Sequence, residues 1–335
     1  MKSCIKAISY YLPDRVLSNE NLLKKFPGLK INELTRLTGV KQRHISAEGE
    51  TASDMAVKSA VKLFSEYSIK KEEIDFVIFC TQSNDYYTPS TACILQERLG
   101  LPKSCGAFDF NQGCTGYIYG LSLSKGLIES SQAKNILLLT SETVTKKIHP
   151  EDKSNMAIFG DGASATLISE TNSEGVGDFV FGTDGKGFEE IIIKHGGARF
   201  PYPETKSIDY NDDFGNIRND GCFYMNGSGV FSFSVKTAPD LINQILKKAN
   251  KTVDDIDLFV LHQANRIILE SIFIKAKIPK EKTFYYLEKC GNTVSSTIPI
   301  ALKEAINQGK VKTGDTVLLA GFGVGFSWAG TIVEL

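Results

Sequence analysis

Three side chains that can do chemistry sit where an apolar run gives way to a helical pattern. Cys114 lies in Phe110-Asn111-Gln112-Gly113-Cys114-Thr115-Gly116, His262 in Val260-Leu261-His262-Gln263-Ala264-Asn265, and Asn292 in Lys289-Cys290-Gly291-Asn292-Thr293. Ahead of the cysteine, the segment Ala107, Phe108, Phe110 breaks at Gly113; behind it, Tyr117, Leu121, Leu123, Leu127 and Ile128 follow helical spacing. A thiol at the first turn of a helix meets unpaired N–H groups and the positive end of the macrodipole. Both favour the thiolate, which is the nucleophile. His262 closes an apolar strand-like run, and the carboxyl ends of strands are where open α/β sheets place ligand chemistry. Asn292 repeats the glycine-marked strand-to-helix turn with an amide in place of the thiol. Taken singly, each residue also fits a plainer role: a packing cysteine like the other six, a satisfied histidine, a helix cap. Together they read as a nucleophile with two polar partners.

The elements that must position them come in two copies. Glu73-Ile74-Asp75-Phe76-Val77-Ile78-Phe79 is echoed by Asp255-Ile256-Asp257-Leu258-Phe259-Val260-Leu261. Each is followed by a helical stretch, a short link ending in proline (Pro102; Pro279), a strand, and a glycine turn bearing Cys114 or Asn292. A helix and a buried strand close each copy, 135–139 and 315–319. Alternating strands and helices predict mainly parallel sheets with helices on their faces. The division expected is 1–172 for the half carrying Cys114 and 173–335 for the half carrying His262 and Asn292. The two would pack about a pseudo-twofold, with Cys114 and Asn292 on equivalent turns. Between them, 195–221 carries Gly196, Gly197, Pro201, Pro203, Gly215 and Asn211-Asp212-Asp213. A stretch this long without pattern is functional or mobile; it reads as a flap at the site entrance or as a surface insertion.

Composition narrows the function classes. With 335 residues, 42% hydrophobic and 23% charged, the chain has the make-up of a globular protein with one large or two ordinary domains. A net charge of −1 argues against nucleic acid as the main partner. No apolar run approaches the ~18 residues of a membrane span, and the start, Met1 to Ser9, reads as a first strand rather than a signal peptide. Seven cysteines without paired spacing point to a reducing cytoplasm. The four histidines are scattered and no Cys-x-x-Cys occurs, so no metal site is expected.

At these motifs the chain resembles the thiolase-fold condensing enzymes, most closely the β-ketoacyl-acyl-carrier-protein synthase III family. The resemblance covers nearly the whole chain, through Thr38-Gly39-Val40-Lys41-Gln42-Arg43-His44, Ile158-Phe159-Gly160-Asp161-Gly162-Ala163-Ser164, Met225-Asn226-Gly227 and Gly321-Phe322-Gly323-Val324-Gly325-Phe326-Ser327-Trp328. It implies a thiolase-like α/β fold of two duplicated halves in five layers, α-β-α-β-α. It implies a decarboxylative Claisen condensation of an acyl thioester with a malonyl thioester through an acyl-cysteine, serving fatty acid or related acyl-chain synthesis. By the same resemblance Cys114 takes the acyl group, and His262 with Asn292 serves the malonyl thioester. The backbone N–H groups of Cys114 and Val324 would hold the oxyanion, worth ~3 kcal/mol per donor. Gly227 and Asn265 would line the phosphopantetheine tunnel, and Thr88 would close the acyl pocket across a homodimer interface. The implied chemistry uses no cofactor; substrates ride on coenzyme A or on the phosphopantetheine of acyl carrier protein, the expected partner.

The chain departs from the family pattern in places. Glu33 and Leu37 stand where the family holds the adenine ring of coenzyme A with tryptophan and arginine, which favours a carrier-protein-bound acyl donor. Ile267 replaces an arginine on the expected docking helix, with Arg266, Lys275, Lys277 and Lys280 forming either a replacement basic patch or a solvated face. Val324 replaces the middle glycine of a glycine turn. Thr88 is smaller than the phenylalanine often found there, leaving room for a longer or branched acyl chain, unless Tyr86 or Tyr87 fills it. Rival functions on the same fold remain. Hydroxymethylglutaryl-coenzyme A synthase needs a glutamate where this chain has Gln82. A non-catalytic partner subunit would lack Cys114. An acyltransferase or condensing enzyme of specialised metabolism would keep all three site residues.

Overall fold

In the computed structural model, residues 2–173, 175–202 and 207–335 are described. The chain opens with strand β1 (Lys2–Tyr11), then a hairpin of β2 (Arg15–Ser18) and β3 (Gln42–Ile45) that encloses helices α1 (Asn19–Lys25) and α2 (Ile31–Thr38). Helix α3 (Ala52–Tyr67) starts at a capping box, Thr51 with Asp54, and leads to β4 (Phe76–Cys80). Next come α4 (Thr91–Leu99), β5 (Gly106–Phe110), α5 (Gly116–Glu129), β6 (Asn135–Glu142), the short α6 (Lys153–Met156) and β7 (Gly162–Thr171). The second copy begins with β8 (Val176–Thr183). Two small pairs follow, β9 (Ile191–Ile192) with β12 (Tyr224–Met225), and β10 (Tyr210–Asn211) with β11 (Ile217–Arg218). Then come α7 (Gly227–Lys248), β13 (Leu258–Leu261), α8 (Arg266–Lys275), the short α9 (Leu287–Cys290), α10 (Thr297–Asn307), β14 (Thr316–Gly323) and β15 (Ser327–Glu334).

The apolar runs become the parallel strands, because only a strand covered on both faces buries every side chain. Strand β4 lies between β5 and β6, all parallel, with Ile78 level with Phe108 and Leu138. Antiparallel β7 and β1 complete a sheet in the order β1-β7-β6-β4-β5. The second sheet, β8-β15-β14-β13, repeats that order: β13 and β14 are parallel, β15 and β8 antiparallel. The place of β5 is taken by a single parallel bridge, Phe259 to Thr283. Helices α5 and α10 contact strands of both sheets, while α3 and α4 cover the first sheet and α7 and α8 the second. One apolar cluster joins Ile78 and Leu138 of the first sheet, Leu121 and Leu302 of the central helices, and Val260 and Leu319 of the second sheet. The architecture is the five-layered α-β-α-β-α arrangement expected.

Three local expectations are corrected. Helix α5 begins at Gly116, so Cys114 stands two residues ahead of it, in the turn rather than in its first helical turn. Asn292 follows the short helix α9 and not a strand, because the copy of β5 has shrunk to a bridge. The stretch 195–221 carries a pattern after all, the paired strands β10 and β11. Arg218 is buried and paired with Asp152 and, at 3.0 Å, with Asp212, which fastens β11 to α6. Pro203 and its three successors lie outside the described residues.

Candidate active site

The parallel strands of both sheets end at one place. Beyond β4 comes Gln82, beyond β5 Cys114, at the end of β6 Glu142, beyond β13 His262 and at the end of β14 Gly323. These residues line a cavity of about 330 Å³, together with Asn292, Val324, Gly227 and Asn265. All three chemically capable residues singled out from the sequence therefore share one chamber, as do Gly227 and Asn265. Thr88 does not: within one chain it is exposed beside Tyr86 and Tyr87, outside the cavity lining. Glu33 and Leu37 on α2 also lie away from it.

Cys114 is held by close approach of β14. A Cβ on Gly323 would stand 2.6 Å from the Cys114 sulfur, and one on Gly321 2.7 Å from its carbonyl oxygen, so only glycine lets this strand pass. Burial pushes the thiol up to about 11, while the backbone N–H groups of Val324 and Cys114 itself pull the other way. This overturns the expectation of a resting thiolate: removal from water outweighs the nearby N–H groups, and the group rests as a thiol.

His262 is 2% exposed, and burial lowers its basicity to about 3, so the ring is neutral at any physiological pH. Its Nδ1 lies 2.6 Å from the Thr297 hydroxyl, itself 3.0 Å from the Val294 carbonyl. When Thr297 donates to Nδ1, Nε2 carries the hydrogen and becomes a donor; when Thr297 donates to Val294, the tautomer reverses. Asn292 has one orientation. Its Oδ1 accepts from the Val294 N–H at 2.9 Å, and its Nδ2 donates to the Ala264 carbonyl at 3.4 Å, leaving one amide hydrogen for the cavity. Val294 makes this contact at a φ of 54°, a left-handed conformation costly for a β-branched residue.

The motifs at 38–44 and 158–164 frame these turns. Asn292 exchanges backbone hydrogen bonds with Ile158 (2.9 Å) and Gly160 (3.1 Å). Arg43, fully buried, packs behind Gly160 and Gly291; its Nε donates to the Ala157 carbonyl at 3.1 Å and its Nη1 to Asn19 Oδ1 at 2.6 Å. Asp161 accepts from Ser46 and Thr145, tying β3 to the segment after β6.

Sequence reasoning missed Glu142, Ser295 and Thr297. Glu142 had a readable signal, since it ends an apolar strand as His262 follows one. Thr297 had none, because a threonine at a helix start is an ordinary cap.

Family models describing 3-oxoacyl-[acyl-carrier-protein] synthase III match residues 108–185, and its C-terminal part residues 246–335. The β-ketoacyl-[acyl-carrier-protein] synthase III of Clostridium perfringens (strain ATCC 13124) is 36% identical over 326 residues, covering 97% of each chain. A solved 3-oxoacyl-(acyl-carrier-protein) synthase III superposes with a TM-score of 0.98 at 44% identity over 100% of both chains. The priming β-ketosynthase of the R1128 polyketide pathway superposes with a TM-score of 0.89, at 27% identity over 100% of this chain and 96% of that one. With fold, strand-end chamber and full-length similarity agreeing, the chain belongs to the β-ketoacyl-[acyl-carrier-protein] synthase III family of acyltransferase condensing enzymes.

Proposed function

We propose that Cys114 is the acylated nucleophile and that His262 and Asn292 serve the malonyl half-reaction. The observation that carries this reading is the shared chamber, lined by the Cys114 thiol, a neutral imidazole and a side-chain amide with one hydrogen free. The Cys114 sulfur attacks an acyl thioester; the carbonyl oxygen becomes an oxyanion facing the N–H groups of Cys114 and Val324. Collapse breaks the C–S bond to the carrier, and the departing thiolate takes the proton the cysteine gives up. A malonyl thioester then loses CO₂. The electron pair of the broken C–C bond passes into an enolate, whose oxygen faces His262 Nε2–H and the free hydrogen of Asn292. The enolate carbon attacks the acyl-cysteine, the new C–C bond forms, and the cysteine leaves as thiolate. Neutral donors suit this step, since a charged imidazolium in so dry a chamber would be costly.

Gly227 and Asn265 line the approach taken by phosphopantetheine, and a carrier-protein-bound acyl donor fits the loss of an adenine clamp at Glu33 and Leu37. The halves divide at 1–172 and 173–335, which agrees with β7 ending at Thr171 and β8 starting at Val176. The working unit is a homodimer. Strand β5 is an unpaired, half-buried sheet edge, and Tyr86 and Tyr87 beside Thr88 are 62% and 90% exposed. A cytoplasmic site suits seven free thiols, and among the described residues no helix is long and apolar enough to cross a membrane. The departure at Glu33 and Leu37 also favours a second reading, a priming role in specialised metabolism like that of the polyketide ketosynthase.

Incubation with malonyl-carrier protein and a panel of acyl thioesters, followed by intact-mass measurement, tests the proposal. An acyl adduct on Cys114 that a malonyl donor converts to a 3-oxoacyl product supports it. An adduct on Cys80, Cys105 or Cys290, or transfer to a hydroxyl or amine without C–C bond formation, refutes it.

A further inference from the structure

Glu142 is a carboxylic acid, 1% exposed, in the wall of the same chamber as Cys114. It has no part in the chemistry above. Three donors make four contacts with it: the Gln82 N–H reaches both oxygens (3.2 and 3.0 Å), the Ser83 hydroxyl one (3.0 Å) and the Ser295 hydroxyl the other (2.9 Å). Ser83 in turn accepts from the Thr143 N–H at 3.1 Å, which commits its own hydrogen to Glu142. Gln82 and Ser83 belong to the turn after β4, in the half that carries Cys114. Ser295 belongs to the turn of Asn292 in the other half. The carboxyl thus bridges the two halves at the floor of the chamber.

We propose that Glu142 is a positioning residue for the condensation: by tying the Asn292 turn to the β4 turn, it fixes the Asn292 amide at its working distance from Cys114. The reading of Asn292 as an enolate donor underlies this step. The Asn292 turn needs such a tether, because Val294 within it holds a left-handed backbone that relaxes if unsupported. Electrostatics give a second mark of the same residue. Burial pushes Glu142 up to about 8 against the pull of its donors, and Asp161 pushes the same way. The titratable groups that feel its charge are Cys114 and Cys80, both pushed further up by it, and Lys147 and His262 share the chamber wall. A negative Glu142 therefore disfavours the Cys114 thiolate, an influence a purely steric brace would lack.

The test uses the intact enzyme and Glu142→Gln, with three readouts: acyl loading by mass, condensation with malonyl-carrier protein, and the pH profile of Cys114 alkylation by iodoacetamide. The amide keeps the size but loses charge and one acceptor. Condensation should fall at least about tenfold, ~1.4 kcal/mol, with loading much less affected and the alkylation profile moved to lower pH. Ser295→Ala, which cuts only the link to the Asn292 turn, should lower condensation without moving the profile; it decides the matter if Glu142→Gln does not fold. Wild-type condensation in Ser295→Ala, or loading and condensation lost in equal proportion in both variants, overturns the proposal. Absence of any adduct on wild-type Cys114 would instead strike the underlying reading of the site.

Discussion

The turns bearing Cys114 and Asn292 hold equivalent places in the two halves, yet they are built in opposite ways. The Cys114 turn leaves a full strand, β5, and enters a long helix. The polar partners of its sulfur are backbone, two N–H groups, and Gly323 of β14 packs directly on it. The Asn292 turn leaves a one-turn helix, and its partners include side chains, with Ser295 on Glu142 and Thr297 on His262. Backbone donors cannot rotate away and are indifferent to most substitutions. Side-chain donors must be oriented by further side chains, each adding a place where the arrangement fails. The two frames share strand order and differ at one edge, where β5 of the first sheet is matched by a single bridge in the second. On the function proposed above, the half with the full strand β5 holds the covalent step, and the half where a bridge stands in its place holds the polar one.

The sharpest way to break this comparison is to remove the sulfur. Cys114→Ala should lose acyl loading entirely while retaining the fold, as read by intact mass and thermal melting. Any residual adduct would mean that the two turns do not divide the chemistry. Asn292→Ala should leave loading within about tenfold but lower condensation by ~10²-fold or more, the scale of one lost oxyanion-type donor. Single-turnover measurement of each half-reaction separates the two, and equal losses would erase the distinction between the turns. Thr297→Val removes the hydroxyl that sets the His262 tautomer. Condensation should drop about tenfold with loading little changed, and Thr297→Ser should restore it. Unaltered condensation in the valine variant would show that the ring needs no orientation. The smallest effect is expected at the open edge: Thr88→Phe should shift preference toward shorter acyl donors without loss of dimer. Unchanged chain-length preference, or a fully active monomer in sedimentation, would detach the edge from the site.

What the sequence made legible followed from apolar runs. The runs at 76–80, 135–142, 258–261 and 316–323 are covered on both faces, and such strands announce themselves without alternation. The end of the run at 258–261 located His262, and the glycine break after β5 located Cys114. The duplication then placed Asn292 opposite, although the expected strand before it proved to be a bridge. Ionisation was not legible. The helix start argued for a thiolate, and only the packing of Gly321 and Gly323 onto Cys114 reveals how dry the thiol is. Glu142 escaped for a related reason. Its place at the end of an apolar strand was readable, but its burial shows only once the donors that surround it, from turns about 60 residues before and over 150 after, are brought together in space.

Arg43, near the start of the chain, is seated against a turn that belongs to its last quarter. Its seat behind Gly160 and Gly291 needs both turns in place. During synthesis at ~5–20 residues per second, the Asn292 turn follows Arg43 by roughly 10–50 s. Through that interval the N-terminal half has Cys114 but no finished chamber, and one of its most deeply seated charges remains hydrated. Reactivity at Cys114 is thereby coupled to completion of the chain: a nascent or truncated product carries the thiol without the second half that turns it to condensation.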